Sequence, residues 1–510
     1  MQKRILSLIL CFLFVFASVV FAACADKADA GGESSSSETQ EINTEELTDE
    51  EKRKAIPDDI PELNFDGKDF RILTRDSAGH GKLIHIDDIY MEEATGDVID
   101  DAVFARNQAV EERFNVKIGY RAVNESDEAT LTKELTKSVT SNADDYDFAI
   151  GHMIFMGTTV TNGVFYNWYD VPYINLTKPW WIQSAQEQLT IDDKSFLALG
   201  DLSYNSIDYT YCYYFNKALF DDYNLEYPYE KVRSLGWTFE YMKSLIKDIY
   251  SDLNGDSKRD EEDLYGLVAN CYSGNVTWTY AFGEMVTKRS DDGYPELVIN
   301  NEKTTSIVEK LYGLYFDTPG VYVSPDTSTP KGRTWVSVMC DSFKENRAVM
   351  ICGVFGDATQ NFRNVDADYG FLPYPKWDEA QTNYYTMVDG HAPLFGIPIT
   401  IGDPELVGAV IESMAAEGYK RVTPAYYEVA LKTKFTRDEE SAEMIDLILD
   451  GRVFDFGYLY DGWNGLAFYL QNLLGFGKQT KDFSSYYAKS EKAANKYYQK
   501  IFKAYDEYGL

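Results

Sequence analysis

Apolar and polar positions fall into distinct blocks along the chain. Residues 5–21 are almost all apolar, broken only by Ser7 and Ser18, and they follow Lys3-Arg4. From Ala25 to about Pro61 the pattern reverses, with Gly31-Gly32, Ser34 to Ser37 and an acidic run through Glu50-Glu51. So little there can be buried that a disordered tether is expected. A flexible chain of about 35 residues would reach roughly 30–35 Å. Order is expected from Phe65-Asp66-Gly67. Residues 69–74 read as a first strand, 115–120 as a second and 145–151 as a third. Between them lie two helical stretches, 100–114 and 129–141. The first carries Val103, Val110 and Phe114 on one face, interrupted by Asn107. Strands alternating with helices predict an α/β fold with a parallel sheet. Further on, residues 209–216 read as a buried strand, 217–223 as a short helix, and Thr238 as the N-cap of a helix running to about Tyr250. The C-terminal part is helical. Residues 404–419 place Val407, Val410, Ile411 and Met414 on one face. Residues 438–449 follow, then a glycine- and aromatic-rich loop over 454–463. The last helix, over 484–508, is amphipathic and lysine-rich, and reads as a solvated face backed by a core stripe.

Length and charge sharpen this picture. The 510 residues can hold two or more domains. The formal net charge of −35 argues against nucleic acid and against electrostatic docking on anionic lipid. The 39 Tyr and 8 Trp are a heavy load of rings with polar handles, which suits surfaces that grip sugars, although most will serve packing. The basic start, apolar run and small residues before Cys24 follow the grammar of a secretory signal peptide over residues 1–23. Phe21-Ala22-Ala23-Cys24 resembles the lipobox of bacterial lipoproteins. That resemblance implies lipidation of Cys24, with acyl chains holding the protein to the outside of the cell membrane. Of the remaining cysteines, Cys212, Cys271, Cys340 and Cys352 form no CxxC and no Cys/His cluster, which speaks against zinc. They leave open one or two disulfides in an exported protein.

A second resemblance covers roughly residues 70–427. Tyr214-Phe215-Asn216-Lys217-Ala218-Leu219-Phe220, Pro228, Trp237-Thr238, Asp252-Leu253-Asn254-Gly255-Asp256 and Tyr265-Gly266-Leu267 occur in an order seen in family 1 extracellular solute-binding proteins. These are the lipoproteins that feed sugar ABC importers, relatives of maltose-binding protein. Phe343-Lys344-Glu345-Asn346-Arg347-Ala348-Val349-Met350 with Gly353 resembles the family's F-x-x-G-x-A-x-M…G stretch, with Asn346 in the place of its glycine. Asp368-Tyr369-Gly370-Phe371-Leu372-Pro373-Tyr374-Pro375-Lys376 resembles its YG-x-x-P-x-P strand. The resemblance implies a two-lobed fold with hinge strands and extra C-terminal helices. Lobe 1 would take residues 64–200 and 374–419, lobe 2 residues 201–373 and 420–510, with 24–63 as the tether. The crossings would lie near 198–205 and 370–374. It further implies a monomer that holds a carbohydrate between the lobes and delivers it to the transmembrane subunits of an ABC permease, without catalysis.

Candidate chemistry is concentrated in one loop and in the strand ends. Asp252, Asn254, Asp256, Lys258, Asp260 and Asp263 occupy positions 1, 3, 5, 7, 9 and 12 of an EF-hand-like loop, Lys258 through its carbonyl. That spacing points to a structural calcium ion, against which stand a glycine at position 4 and a short final ligand. In open α/β sheets ligands sit beyond the carboxyl ends of strands. The expected ligand residues are therefore Arg75 and Asp76, His152, Tyr204 and Asn205 with Tyr374 on one side, and Trp278, Phe355 and Asp357 on the other. His391 and Trp463 stand in loops able to close the cleft. Trp180-Trp181 reads as a packing element. The sequence has four His and contains no GxSxG, HExxH or phosphate loop. A secreted glycan-active enzyme with a carboxylate pair is the alternative reading, and a two-lobed sensor partner a third.

Overall fold

A computed structural model describes residues 47–508 apart from 77–86, 125–128, 270–271, 326–331, 364, 366–367, 436–437, 462–464 and 476–477. Cys24, the signal segment, Cys271 and Trp463 lie outside the described residues. The chain divides into a unit of residues 1–52 and a unit of residues 53–510. In the first, the described part opens the helix Asp49–Ala55 with a capping box: Glu51 N–H donates to Thr48 Oγ1, and Thr48 N–H to Glu51 Oε2.

The second unit is built on two sheets. In the first, strands Lys68–Asp76, Val116–Asn124 and Phe148–His152 run parallel, and Pro393–Gly396 pairs antiparallel with the last of these. One face packs under the helices Val98–Phe114 and Pro404–Glu417 through Phe70, Ile72, Val110, Phe114 and Val410. Asn107, which breaks the apolar stripe, is buried beside Arg106 because both side chains donate to Ile89 O, and Arg106 also to Leu202 O. Arg106 and Asn107 are thus paired, as burial requires. The stretch expected as tether is already anchored at its end, for Asp58 and Ile60 O accept from the Arg113 guanidinium.

The second sheet has the order Val321–Val323, Leu264–Ala269, Ala348–Val354, Tyr211–Asn216, Tyr369–Leu372, with Tyr211–Asn216 antiparallel to the strands on either side of it. All six residues of Tyr211–Asn216 are buried, as a strand covered on both faces demands. Two crossings join the sheets. The first runs from Ala198, bridged to Phe395, to Thr210, bridged to Val388. A Cβ on Gly200 would stand 2.3 Å from Trp180 O, so only glycine fits this approach. The second crossing lies later than expected. Residues 374–384 stay with the second sheet, where Phe239 N–H donates to Lys376 O and Tyr384 OH to Val232 O. The return comes at residues 386–396, near Asp389, whose N–H donates to Tyr209 O. The final helix, Phe483–Glu507, touches both halves: it packs against the helix Glu302–Asp317, and its end reaches Phe196 and Leu189 through Tyr505.

Candidate functional site

Where the first crossing leaves the first sheet, the short helix Asn205–Asp208 turns the chain into the second. Beside it lies a cleft of about 300 Å³. One wall is the start of the helix Val98–Phe114, with Asp97 and Asp100; the other is the helix Gly356–Gln360 with Arg363 just beyond it. The floor is aromatic. Tyr204 and Tyr426 stack with centroids 4.4 Å apart and planes 16° apart. Tyr426 is delivered by a π-helical stretch, Ala425–Phe435, a form common at functional sites. Its hydroxyl donates to Asp208 Oδ1 at 2.5 Å, and Gln360 Nε2 approaches Asp208 Oδ2 at 3.4 Å. Burial pushes the Asp208 carboxyl up to about 6, against the Tyr426 hydrogen bond, with Asp357 adding to the rise.

Asn205 is fixed from behind. Its Nδ2 donates to Asp88 Oδ2 at 2.7 Å, and Ser203 Oγ donates to the same oxygen. Burial raises Asp88 to about 7, against its bonds to Ser203 and Asn205 and the nearby Arg106. Hinge backbone, lobe 1 loop and cleft floor therefore form one hydrogen-bonded unit. Across the mouth Arg363 Nη2 stands 3.9 Å from Asp97 Oδ2, a solvated ion pair that contributes little energy but bridges the walls.

A second cluster sits where the sheets meet. His152 and His391 pack edge to face at 4.9 Å. His391 Nδ1 lies 2.5 Å from Asp389 Oδ1, and Tyr211 OH donates to Asp389 Oδ2 at 2.8 Å. Burial opposes ionisation of Asp389, but His391 and Tyr211 outweigh it and hold the carboxyl below its ordinary value. Arg75 Nη2 donates to His391 O at 2.7 Å, tying the first strand to this cluster.

The structure thus brings Tyr204 and Asn205 together in the cleft, and Arg75, His152 and His391 together in the buried cluster. Asp76 ends the strand Lys68–Asp76. Trp278, Phe355 and Tyr374 stand elsewhere, in the core of the second lobe. Trp278 is 1% exposed, donates to Tyr315 OH and lies 5.1 Å from the Tyr374 ring; Phe355 is fully buried against Phe371. Asp357 caps its own turn, accepting from Val354 N–H and Asn361 Nδ2. Sequence reasoning missed Asp208, Gln360, Arg363 and Tyr426. Asp208 stands among other polar residues of the crossing, Asp201, Ser203, Asn205 and Ser206, so no pattern singled it out. Tyr426 falls past the end assigned to the 404–419 helix, where no period marks a site.

In the loop after Asp252 the carboxylates bond backbone. Asp252 accepts from Gly255 and Ser257 N–H, Asn254 from Asp256 N–H, Asp256 from Lys258 N–H, Asp260 from Glu262 N–H, and Asp263 from Tyr250 OH. Among the described residues no three His, Cys, Asp or Glu side chains stand close enough together to hold a metal. Cys212 and Cys340 are buried free thiols, raised well above the ordinary thiol value by burial. Among the described residues no helix is long and apolar enough to cross a membrane.

No protein-family model and no curated protein sequence matches the chain. Solved structures do. UspC of M. tuberculosis aligns with a TM-score of 0.54 at 13% identity, covering 84% of this chain and 100% of its own. Maltose-bound MalE3 of T. maritima aligns with a TM-score of 0.50 at 11% identity, covering 85% and 99%. The apo form of RafE from Streptococcus pneumoniae also reaches 0.50, at 12% identity, covering 86% and 98%. The chain has the two-lobed α/β fold of the sugar-importer solute-binding proteins, the fold that resembles maltose-binding protein.

Proposed function

We propose that this protein is the extracytoplasmic binding component of an ABC importer, capturing an oligosaccharide in the cleft beside Tyr204 and Tyr426 and passing it to a permease. The observation that carries the reading is the stacked tyrosine floor at a crossing between two α/β lobes. Tyr204, the partly exposed ring of the pair, suits the apolar face of a sugar ring, with Tyr426, 1% exposed, backing it, while the surrounding carboxylates and Gln360 suit its hydroxyls. A fold shared with maltose-bound MalE3 supports it. Lipidation of Cys24 would keep the protein at the membrane, and the protein would carry out no reaction. A structural calcium ion in the 252–263 loop belongs to the same proposal as an independent part.

The test is calorimetric titration of the full mature chain with a panel of neutral oligosaccharides, with product analysis of the same samples. Binding without product is expected, and Tyr204→Ala should weaken it by about 1–3 kcal/mol, the scale of a lost stacking ring. Release of shortened sugars would turn the reading into a glycan-active enzyme. Failure of every sugar to bind would remove it.

A further inference from the structure

A second groove, of about 640 Å³, shares no lining residue with the cleft. Its walls are the helix Gln183–Leu189, the hairpin Thr190–Ser195 and the hairpin formed by Thr287–Arg289 and Pro295–Leu297. Two aromatic rings line it. Tyr169 is 48% exposed, with its hydroxyl 3.2 Å from Thr190 Oγ1. Tyr294 is held by a hydrogen bond of 3.0 Å to Asp506 Oδ1 and by edge contact with Phe502.

Some of the polar groups are already engaged: Asp292 Oδ1 accepts from Ser290 Oγ and Tyr294 N–H, and Thr190 Oγ1 donates to Gln186 O. The Gln186 side chain is 5% exposed; its Nε2 is fixed by Ser195 Oγ at 2.8 Å, and its Oε1 has no partner. Asp192 and Asp193, at the hairpin tip, both take left-handed φ values, 49° and 58°. Two successive non-glycine residues there are strained, and both line the groove. Arg289 is consumed structurally. It donates to the carbonyls of Glu187, Thr190 and Gly293 and so joins the two walls into one preformed surface. Among the described residues lining the groove no free cation is left to meet an anion, while Asp192, Asp193 and Asp292 repel one.

We propose that this groove is a second glycan-binding site, one that takes a run of neutral sugar units from a longer polysaccharide. Its volume lies in the range of small-molecule sites. Rings supply the stacking surface, the carboxylates of Asp192 and Asp193 accept hydroxyl protons, and the charge excludes uronates. The consequence is a protein that can rest on a polymer while its cleft samples short fragments.

Affinity electrophoresis of the full mature chain tests this, in native gels containing amylopectin, xylan or galactomannan, with polygalacturonate as the acidic control. Retardation by at least one neutral polymer and none by polygalacturonate is expected. Tyr169→Ala with Tyr294→Ala should weaken that retardation at least 5-fold and leave oligosaccharide titration of the cleft unchanged. If the double variant melts early, Tyr169→Ala alone decides, since that ring already stands half in solvent. Three results overturn the proposal: no retardation in any neutral polymer, equal or stronger retardation in polygalacturonate, or retardation that survives loss of Tyr169 and vanishes with Tyr204→Ala.

Discussion

Individual side chains set the acid–base character of this protein. Glu412 lies on the inner face of the helix Pro404–Glu417, fully buried, and accepts from Trp180 Nε1 at 3.0 Å and Trp181 Nε1 at 3.1 Å. The tryptophan pair is thereby a packing element of the first lobe, as its sequence context suggested. Burial raises Glu412 from 4.5 to about 7, against its bonds to Asn175 N–H and the two indoles. A carboxyl with a raised folded-state pKa binds its proton more tightly folded than unfolded. Its stabilisation is present in full below the unfolded value of 4.5 and is lost as pH rises through about 7. Asp88 and Asp461, each raised to about 7 by burial, act in the same direction. Stability should therefore fall between about pH 5 and about pH 8. Glu412→Gln, which mimics the protonated acid, should shrink that fall by about 1–3 kcal/mol in urea titrations at the two pH values. An unchanged slope would place the buried proton elsewhere. The same reasoning about burial explains the expected ligand residues that turned out to be core: Trp278, Phe355 and Tyr374 are aromatic, and an aromatic residue at a strand end serves packing or ligand equally well until its neighbours are known.

At the scale of elements, the sequence was legible where one period persisted. The run Tyr211–Asn216, apolar and aromatic throughout, could only be a strand buried on both faces. The three parallel strands of the first sheet stood out for the same reason. What escaped were short pieces defined by capping and not by period. Asp455 accepts from Val286, Thr287 and Gly457 N–H and starts the helix Phe456–Leu459 inside a stretch that reads as loop. The second crossing, which the resemblance implied near 370–374, comes later: the return is made by the two-residue strand Thr386–Met387 and the four-residue strand Pro393–Gly396. The cleft was half legible: Tyr204 and Asn205 follow from topology, but Tyr426 reaches them from more than two hundred residues away. The loop after Asp252 tests what spacing alone can say. Its Asx turns already curl the backbone, with Gly255 and Ser257 at positive φ, so an ion would have to draw Asp252, Asp256 and Asp263 to one point. If calcium binds as proposed, chelation lowers the melting temperature, and Asp252→Ala with Asp256→Ala removes the difference. Superimposable melting curves with and without chelator would leave an acidic turn, held by the hydrogen bonds already present.

For the whole molecule the question is how far two lobes can rotate when a helix is fastened to both. The helix Phe483–Glu507, 25 residues and so about 37 Å long, begins after Lys481, whose Nζ stands 4.3 Å from the Tyr312 ring in the second lobe. It ends in the first. Lys194 Nζ donates to Tyr505 O and Tyr508 O at 2.9 and 3.1 Å, Tyr505 OH donates to Leu189 O at 2.6 Å, and the Tyr505 and Phe196 rings are 4.8 Å apart. Closure of a two-lobed receptor needs hinges that bend while both cores stay packed. The two crossings could bend, but the far attachment would have to slide, stretch or release as the lobes approach. Packed contacts resist such sliding because they are bistable and not continuously deformable. The strap should therefore limit closure. Small-angle scattering of the parent chain with a saturating oligosaccharide should show a modest decrease in radius of gyration. Tyr505→Ala, which removes the ring contact and the bond to Leu189, should enlarge that decrease and lower the melting temperature of the unliganded protein. If both chains compact equally, the helix rides with the moving lobe and its contacts to Leu189 and Lys194 exchange freely. If neither compacts while ligand is bound, the lobes are locked, and the cleft works as a rigid site.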